Sequence, residues 1–366
     1  MTPLRVLVIT PDFPPRPGGI QQVAHKLVSH FANTTIQVLT LDAAGGQAWD
    51  AAHGHRVQRI STVRDHRRAI LRLNAAALTS ARRFRPDVVL AMHIVAGPAA
   101  AAIRRTHRIP VVTYVHAKEV AARPRLARFA LANSDRIVAV SRYTTALAER
   151  IGADMDRVAV IPPGVDWREL PQTQRMSAPS IVTVARLENE YKGHDVMVRA
   201  LPLVRARLPN AQWVVVGDGS RRRQIEQMAA AYGVADAIRL TGRVSDETRD
   251  QWLDRAHVFA MPSRLPANGG AGEGFGIVYL EAGVHGLPVI AGRVGGALDA
   301  VVDGATGLLV DPTDHAQVAD AISTLLIDRA RATRMGAAGS EHARAFAWPA
   351  IASRVQSLMA GAVSGR

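Results

Sequence analysis

A chain of 366 residues is too long for one ordinary core and suits two α/β domains. It has 48% hydrophobic residues, 5% aromatics and no cysteine, which excludes disulfides, thiolate catalysis and cysteine zinc sites and makes a reducing cytoplasm the expected location. The net charge of +14 is nearly all arginine, because only Lys26, Lys118 and Lys192 are lysines. Codon bias in a GC-rich genome gives that skew, and no nucleic-acid motif or aromatic-basic interleaving is present, so no nucleic-acid partner is expected.

The opening MTPLRVLVIT reads as a first core strand and lacks the charged leader, long apolar stretch and cleavage site of a signal peptide. β-branched runs predict strands at 4–10, 36–40, 87–91, 110–115 and 136–140, separated by helices at 19–32, 64–84, 97–107 and 143–150. Such alternation implies a parallel sheet covered on both faces. Residues 94–103 form the longest apolar run, mostly alanine and far short of the roughly 18 residues that span a bilayer. The pattern pauses at IPPGVDWRELPQTQRMSAPS, residues 161–180, whose four prolines suit an interdomain linker. It then restarts, with strands at 180–187, 212–217, 238–244, 257–263, 288–292 and 307–311. Helices are predicted at 195–207, 221–232, 246–255, 276–285 and 315–327, and a last one over 348–359. The expected fold is therefore α/β, with two Rossmann-like domains facing each other across a cleft. An N-terminal domain covers 1–163, a C-terminal domain covers 175–347, and residues 348–366 cross back onto the first.

Chemistry is expected at strand ends, where ligands of open parallel sheets bind. After the first strand, Gly18 and Gly19 precede a helix, where backbone N–H groups approach an anion closely. A glycine pair there is more often a plain turn. The third glycine of a dinucleotide fingerprint is missing and no acidic residue clearly ends the second strand, which speaks against an NAD enzyme. In VARLENEYKGHD, residues 184–195, Arg186 and Lys192 stand at a strand mouth and a helix entrance. Two cations so placed neutralise a diphosphate, although both would also suit a solvated loop. In GEGFGIVYLEAGVHGLPVIAG, residues 272–292, Glu273 and Glu281 are eight positions apart. Gly274, Phe275 and Gly276 between them open a helix whose first N–H groups suit phosphate oxygens. Glu273 in the loop suits sugar hydroxyls, and Glu281 in the helix suits a ribose diol.

These motifs carry a resemblance. With PPRPGGIQ, VTYVHAKEV, SRYT, IPPGVD, VVVGDGS, TGRVSD and AGRVGG, which together span residues 14 to about 311, the chain resembles the retaining glycosyltransferases of family four, of GT-B fold. Within them it is similar to the phosphatidylinositol mannosyltransferases of actinobacteria. The resemblance implies that Gly18 and Gly19 line the donor phosphate and that His116 lies near the transferred sugar. It also makes Arg186 and Lys192 the diphosphate clamp, Glu273 the sugar contact, Glu281 the ribose contact and Val244 a nucleobase contact. The family often has His-Gly-His-Glu where this chain has His116, Ala117, Lys118 and Glu119, and the segment RLPANGGAG before Glu273 is longer than in many members. Both departures bear on substrate identity.

The resemblance further implies a retaining, front-face transfer gated by domain closure, with the leaving phosphate helping to deprotonate the acceptor. Neither a metal nor a cofactor is expected, since cations and a helix dipole serve the leaving diphosphate. A nucleoside-diphosphate sugar is the co-substrate, GDP-mannose by resemblance, with an inositol phospholipid as the hydroxyl acceptor. The alternatives are a UDP-sugar enzyme with a small soluble acceptor, a GT-B sugar epimerase, or a non-catalytic binding protein; a phosphorylase would need a cofactor lysine that none of the three lysines suits. Two basic-apolar stretches in the first domain suit peripheral contact with anionic lipid at the inner face of the plasma membrane. One holds Arg56, Arg59, Arg64, Arg67, Arg68 and Arg72 with Ile70, Leu71 and Leu73. The other holds Arg123, Arg125 and Arg128 with Leu126, Phe129 and Leu131.

Overall fold

The computed structural model describes residues 3–16, 18–61, 65–170, 173–267 and 269–365. Pro17 of the glycine loop, Arg64 of the basic helix, Pro171 and Gln172 of the expected linker, and Asn268 before Glu273 lie outside the described residues. The chain divides into two compact units, Met1–Gly164 with Trp348–Arg366, and Val165–Ala347.

The first unit runs β1 (Leu4–Ile9), α1 (Gly19–His30), β2 (Thr34–Leu41), α2 (Gly46–His53), β3 (Val57–Ile60), α3 (His66–Phe84), β4 (Val88–Ala91) and α4 (Gly97–His107). It continues with β5 (Val111–Val115), α5 (Ala117–Ala122), α6 (Pro124–Ala132), β6 (Arg136–Ala139), α7 (Arg142–Arg150) and β7 (Val158–Val160). The seven strands pair in parallel in the order β3-β2-β1-β4-β5-β6-β7. β4 and β5 are buried at every position, as strands covered by helices on both faces must be. The order reverses between β1 and β4, so loops leaving β1, β4 and β5 border the place where such sheets take ligands.

Several local signals decide the boundaries. The Asp65 carboxylate accepts from the Arg67 N–H at 2.8 Å, so α3 starts at His66 rather than at 64. β2 extends to Leu41 and is ended by Asp42, contrary to the expectation that no acid ends the second strand. That carboxylate accepts from the Ala43 N–H at 2.9 Å and so caps its own turn. Of the two basic-apolar stretches, Leu73 and Leu131 are core residues, whereas Leu71 is 69% and Phe129 40% exposed.

The second unit runs β8 (Ser180–Val184), α8 (His194–Arg207), β9 (Gln212–Val216), α9 (Arg222–Ala231), β10 (Ile238–Gly242), α10 (Asp246–Arg255) and β11 (Val258–Met261). It ends with α11 (Ile277–Val284), β12 (Val289–Gly292), α12 (Ala297–Ala300), β13 (Gly307–Val310), α13 (His315–Ile327) and α14 (Arg329–Arg344). Its strands are parallel in the order β10-β9-β8-β11-β12-β13, reversing between β8 and β11. The sequence reading places no helix at α14. Its contact with α11 is made through glycines: a Cβ on Gly283 would lie 2.8 Å from the Gly339 carbonyl oxygen. A helix that packs by close backbone approach leaves no stripe of large apolar residues to read.

The coil from Val165, expected as an interdomain linker, is fastened to the second unit. The Val165 N–H donates to Phe346 O at 2.9 Å and the Trp167 indole to Ser340 O at 3.1 Å. Arg175 donates to the carbonyls of Leu253, Asp254 and Ala256 at 3.4, 3.1 and 2.8 Å, and to those of His285 and Gly286 at 3.2 Å. Its fork of donors thus satisfies the carbonyls left open where α10 and α11 end. The chain re-enters the first unit as α15 (Trp348–Ser364), longer than the expected helix, packing on α1 and beside β4, β5 and β6. Gln356 exchanges two hydrogen bonds with the Ala32 backbone, at 3.1 and 2.6 Å.

His257 is one of the histidines that make the second unit acid-sensitive. His257 Nδ1 accepts from the Ser180 N–H at 3.1 Å, with Ser180 Oγ at 2.8 Å, so the ring is held neutral. Burial, with Arg329 and Arg175 nearby, depresses its pKa to about 4. The unfolded chain therefore binds the extra proton first, and stability complete above pH 6.5 falls as pH drops towards 4, by roughly 1.4 kcal/mol per pH unit. Urea unfolding at pH 7, 6 and 5 should show that loss in the wild type and a shallower one in His257→Gln; identical slopes would refute the assignment.

Candidate active site

In the first unit the loop after β1 turns through Asp12, whose carboxylate accepts from Gln21 Nε2 at 3.2 Å on the first turn of α1. Gly18 precedes that helix and Gly19 begins it, with no acidic residue in its first turn, leaving the positive end of the dipole uncompensated. His116 ends β5 and precedes α5; its Nε2 lies 3.2 Å from Met92 O. A carbonyl only accepts, so Nε2 carries the proton. Burial, opposed by Glu119, lowers the His116 pKa, and the neutral ring keeps Nδ1 as an acceptor.

Glu119 is the hub behind this histidine. Only 5% exposed, it accepts from the His116 N–H at 2.9 Å, the Ile94 N–H at 3.1 Å and His93 Nδ1 at 2.8 Å. Burial alone would raise its pKa; His93 and His116 outweigh that and hold it below the usual carboxylate range. The sequence reading missed His93, whose partner lies 26 positions away in α5, after the neighbouring strand.

In the second unit the chain leaving β8 is held by the Leu187 N–H donating to Asp218 O at 2.9 Å. Arg186, one residue earlier, is exposed and has no hydrogen-bond or ion-pair partner among the described residues. Lys192 closes a single 3-10 turn, Glu190–Lys192, before α8. The next residue must be glycine: Gly193 has φ 79, and a Cβ there would lie 2.3 Å from Pro262 O. Arg264 pins this turn, donating to Asp195 at 2.8 and 3.1 Å and to Glu190 at 2.9 Å, while its N–H donates to Tyr191 O at 2.8 Å. Burial and then Glu273 push the Tyr191 phenol well above its ordinary range, with Arg186 opposing.

Lys192 Nζ donates to Glu273 Oε2; the side chains are 15% and 14% exposed. One oxygen of the expected sugar contact is thus already committed to the expected clamp. The Glu273 carbonyl accepts from the Gly296 N–H at 2.9 Å, tying the loop to the glycine pair after β12. Gly276 caps α11 with φ 90. The Phe275 ring is buried, 5.9 Å from that of Phe346, so its backbone is what it offers a ligand. Glu281 is the fifth residue of α11, and its carboxylate makes no hydrogen bond among the described residues. Burial raises its pKa, with Asp250, Asp246 and Asp166 adding and Arg249 opposing. Val244 is half-buried in the loop after β10, next to Ser245, which caps α10 by accepting from the Thr248 N–H at 3.2 Å. Among the described residues no group of three or more histidine or carboxylate side chains is placed to hold a metal ion.

Arg186, Lys192 and Glu273 therefore gather where β8 and β11 end, at the strand reversal, with Glu281 in the helix that follows. Gly18, Gly19 and His116 occupy the corresponding strand ends of the first unit. Two cations and a loop carboxylate at these strand ends, on Rossmann-like units of this kind, suit a glycosyltransferase of GT-B fold. Residues 17–169 match the family described as Glycosyltransferase Family 4, and residues 168–342 match Glycosyl transferases group 1. The chain belongs to glycosyltransferase family 4. It is 34% identical, over 98% of its length and 98% of the relative's, to the GDP-mannose-dependent alpha-(1-6)-phosphatidylinositol monomannoside mannosyltransferase of Mycobacterium tuberculosis. The Mycolicibacterium smegmatis protein of the same description is 32% identical over 97% of this chain and 98% of its own. Anabaena HepE, crystallised with UDP-glucose, superposes with a TM-score of 0.80 over 98% of this chain and 100% of its own, at 19% identity.

Proposed function

We propose that the protein transfers mannose from GDP-mannose to a hydroxyl of an inositol phospholipid, with retention of anomeric configuration and without a metal. The observation that carries the transfer chemistry is the Lys192–Glu273 pair with the open Arg186 at the same strand ends. The named activity of relatives aligned over almost the whole chain supports the donor and the acceptor.

In this reading Arg186, Lys192 and the N–H groups entering α11 hold the leaving diphosphate, taking the charge that develops on it. Lys192 also fixes Glu273, whose other oxygen orients a sugar hydroxyl, and Glu281 accepts from the ribose. Gly18 and Gly19 approach the donor phosphate, and the His116 ring lies against the sugar. The bond from the anomeric carbon to phosphate oxygen breaks as the acceptor oxygen bonds on the same face. The acceptor proton passes to the departing phosphate. Exposed Leu71 and Phe129, each beside arginines, support peripheral contact with the cytoplasmic leaflet. Among the described residues no helix is long and apolar enough to cross a membrane.

The second reading, a UDP-sugar enzyme with a soluble acceptor, is favoured by the fold shared with a protein crystallised with UDP-glucose. Transfer assays with GDP-mannose and UDP-glucose, each with phosphatidylinositol vesicles or free inositol, and with and without EDTA, separate the two. Mannolipid of unchanged anomeric configuration, formed in EDTA, is expected. Transfer only from UDP-glucose, an inverted product, or a free epimerised sugar would each overturn the proposal. Salt-sensitive sedimentation with anionic but not neutral vesicles is the expected sign of membrane contact; an enzyme left in the supernatant throughout points to a soluble acceptor.

A further inference from the structure

His93 has no place in the chemistry set out above, yet the fold holds it with care. It follows β4, between the loops of Asp12 after β1 and His116 after β5, at the strand reversal of the first sheet. Its Nδ1 lies 2.8 Å from Glu119 Oε2 and also 3.1 Å from the Val95 N–H. One nitrogen cannot donate and accept at once. Glu119 is ionised, so the shorter contact is Nδ1–H donating to the carboxylate, and Val95 only lies near. The ring is thereby oriented, with Nδ1 spent inward, 16% of its side chain exposed, and Nε2 without a partner among the described residues.

Arg123, one turn after Glu119, is a second cation near this ring. Its N–H donates to Glu119 O at 3.0 Å, which closes α5. The residue is exposed, and its guanidinium has no hydrogen-bond or ion-pair partner among the described residues. A fixed imidazolium N–H near an exposed guanidinium matches the oxygens of a phosphodiester: a positioned single donor and a bidentate fork. A purely structural role would need only the Glu119 carboxylate, which already serves two backbone N–H groups without His93.

We propose that His93, oriented by Glu119, and Arg123 form the subsite that binds the phosphodiester of the acceptor. This rests on the reading that the acceptor is an inositol phospholipid. Four groups set the charge of the ring. Burial opposes its protonation, Glu119 from α5 more than offsets that, Asp12 adds, and Arg123 opposes, so the His93 pKa is raised. His116, after β5, is the fourth, and it is held neutral. The cation therefore persists above the ordinary histidine range, and phosphodiester affinity should fall as pH rises through the His93 pKa.

The test is calorimetric titration of the full chain with glycerophosphoinositol, the deacylated headgroup, and with free inositol, across pH 6 to 9. His93→Gln and Arg123→Ala, the latter a surface change that leaves folding intact, should each weaken headgroup binding about tenfold. Free inositol should bind all three proteins equally, and the pH dependence should vanish in His93→Gln. Wild-type affinity in both variants, equal losses for inositol and its phosphodiester, or no headgroup binding by the wild type would overturn the subsite. Mannosyl transfer is followed in parallel. A wild type that binds the headgroup through His93 but transfers nothing from GDP-mannose overturns the reaction and leaves the subsite standing. One that makes mannolipid but binds the headgroup no better than the variants overturns the subsite alone.

Discussion

Lys192→Ala should lower kcat/KM by about two to three orders of magnitude, and Arg186→Ala by about two. The difference follows from surroundings. Arg186 is exposed, so water partly replaces its charge when it is removed, whereas the Lys192 side chain is only 15% exposed and is bonded to Glu273. Removing the ammonium also leaves a carboxylate largely buried and unpaired, which costs stability on the order of a few kcal/mol. Kinetics should therefore be read beside thermal unfolding, with Lys192→Ala/Glu273→Gln as the companion. If the double variant regains the wild-type melting temperature but not the rate, the loss belongs to the Lys192–Glu273 site and not to unfolding. The same pairing modifies what Glu273→Ala does alone: it frees a buried ammonium, so nucleotide binding changes along with sugar recognition. Near wild-type turnover in either cation variant would end the clamp assignment.

Glu281→Ala should weaken binding of GDP about 10- to 100-fold, the range expected for losing hydrogen bonds to a charged acceptor. Calorimetry with nucleotide alone reads this free of any acceptor. Because the Glu281 pKa is raised, chiefly by burial, protonation begins at higher pH than for an ordinary carboxylate. GDP affinity of the wild type should then decline on mild acidification, while the variant stays flat. The opposite sign is expected for the protein without nucleotide. A carboxylate with a raised pKa destabilises the native state at neutral pH, and Arg249 keeps Asp246 and Asp250 at 3.0 and 2.8 Å as partners after its removal. Glu281→Ala should thus resist urea better than wild type at pH 7 while binding GDP worse. A variant weaker in both respects would mean that the residue is structural.

Fold and site were legible in the sequence to different depths. Strands such as β4 and β5 declare themselves as valine-rich runs without alternation because both faces are covered. α14 does not, since its glycines meet α11 by backbone approach, and neither does the edge strand β3, whose four residues alternate too briefly. The cations and glutamates of the second unit are visible because each motif is compact, with Arg186 and Lys192 six positions apart. Their partners are not. Arg264 reaches back 69 positions to Asp195, and His93 joins Glu119 across two strands, pairings that exist only once the sheet order is known. Asp42 went unread as a strand-ending acid because β2 runs to Leu41, one residue beyond the expected end at 40.

The return of the chain as α15 has a consequence for the order of assembly during synthesis. The helix covers α1 and flanks β4, β5 and β6, yet residues 165–347 are translated between those strands and their cover. At roughly 5–20 residues per second that interval is on the order of 10–40 s. Throughout it the nascent first sheet exposes the apolar surface later met by Trp348, Ile351, Val355 and Met359, all buried in the finished protein. The second unit, whose first and last residues pair through the Val165–Ala347 bridge, can complete itself meanwhile. The half of the molecule made first is therefore finished last, and a ribosome stalled before codon 348 holds a chain for which chaperones have a use.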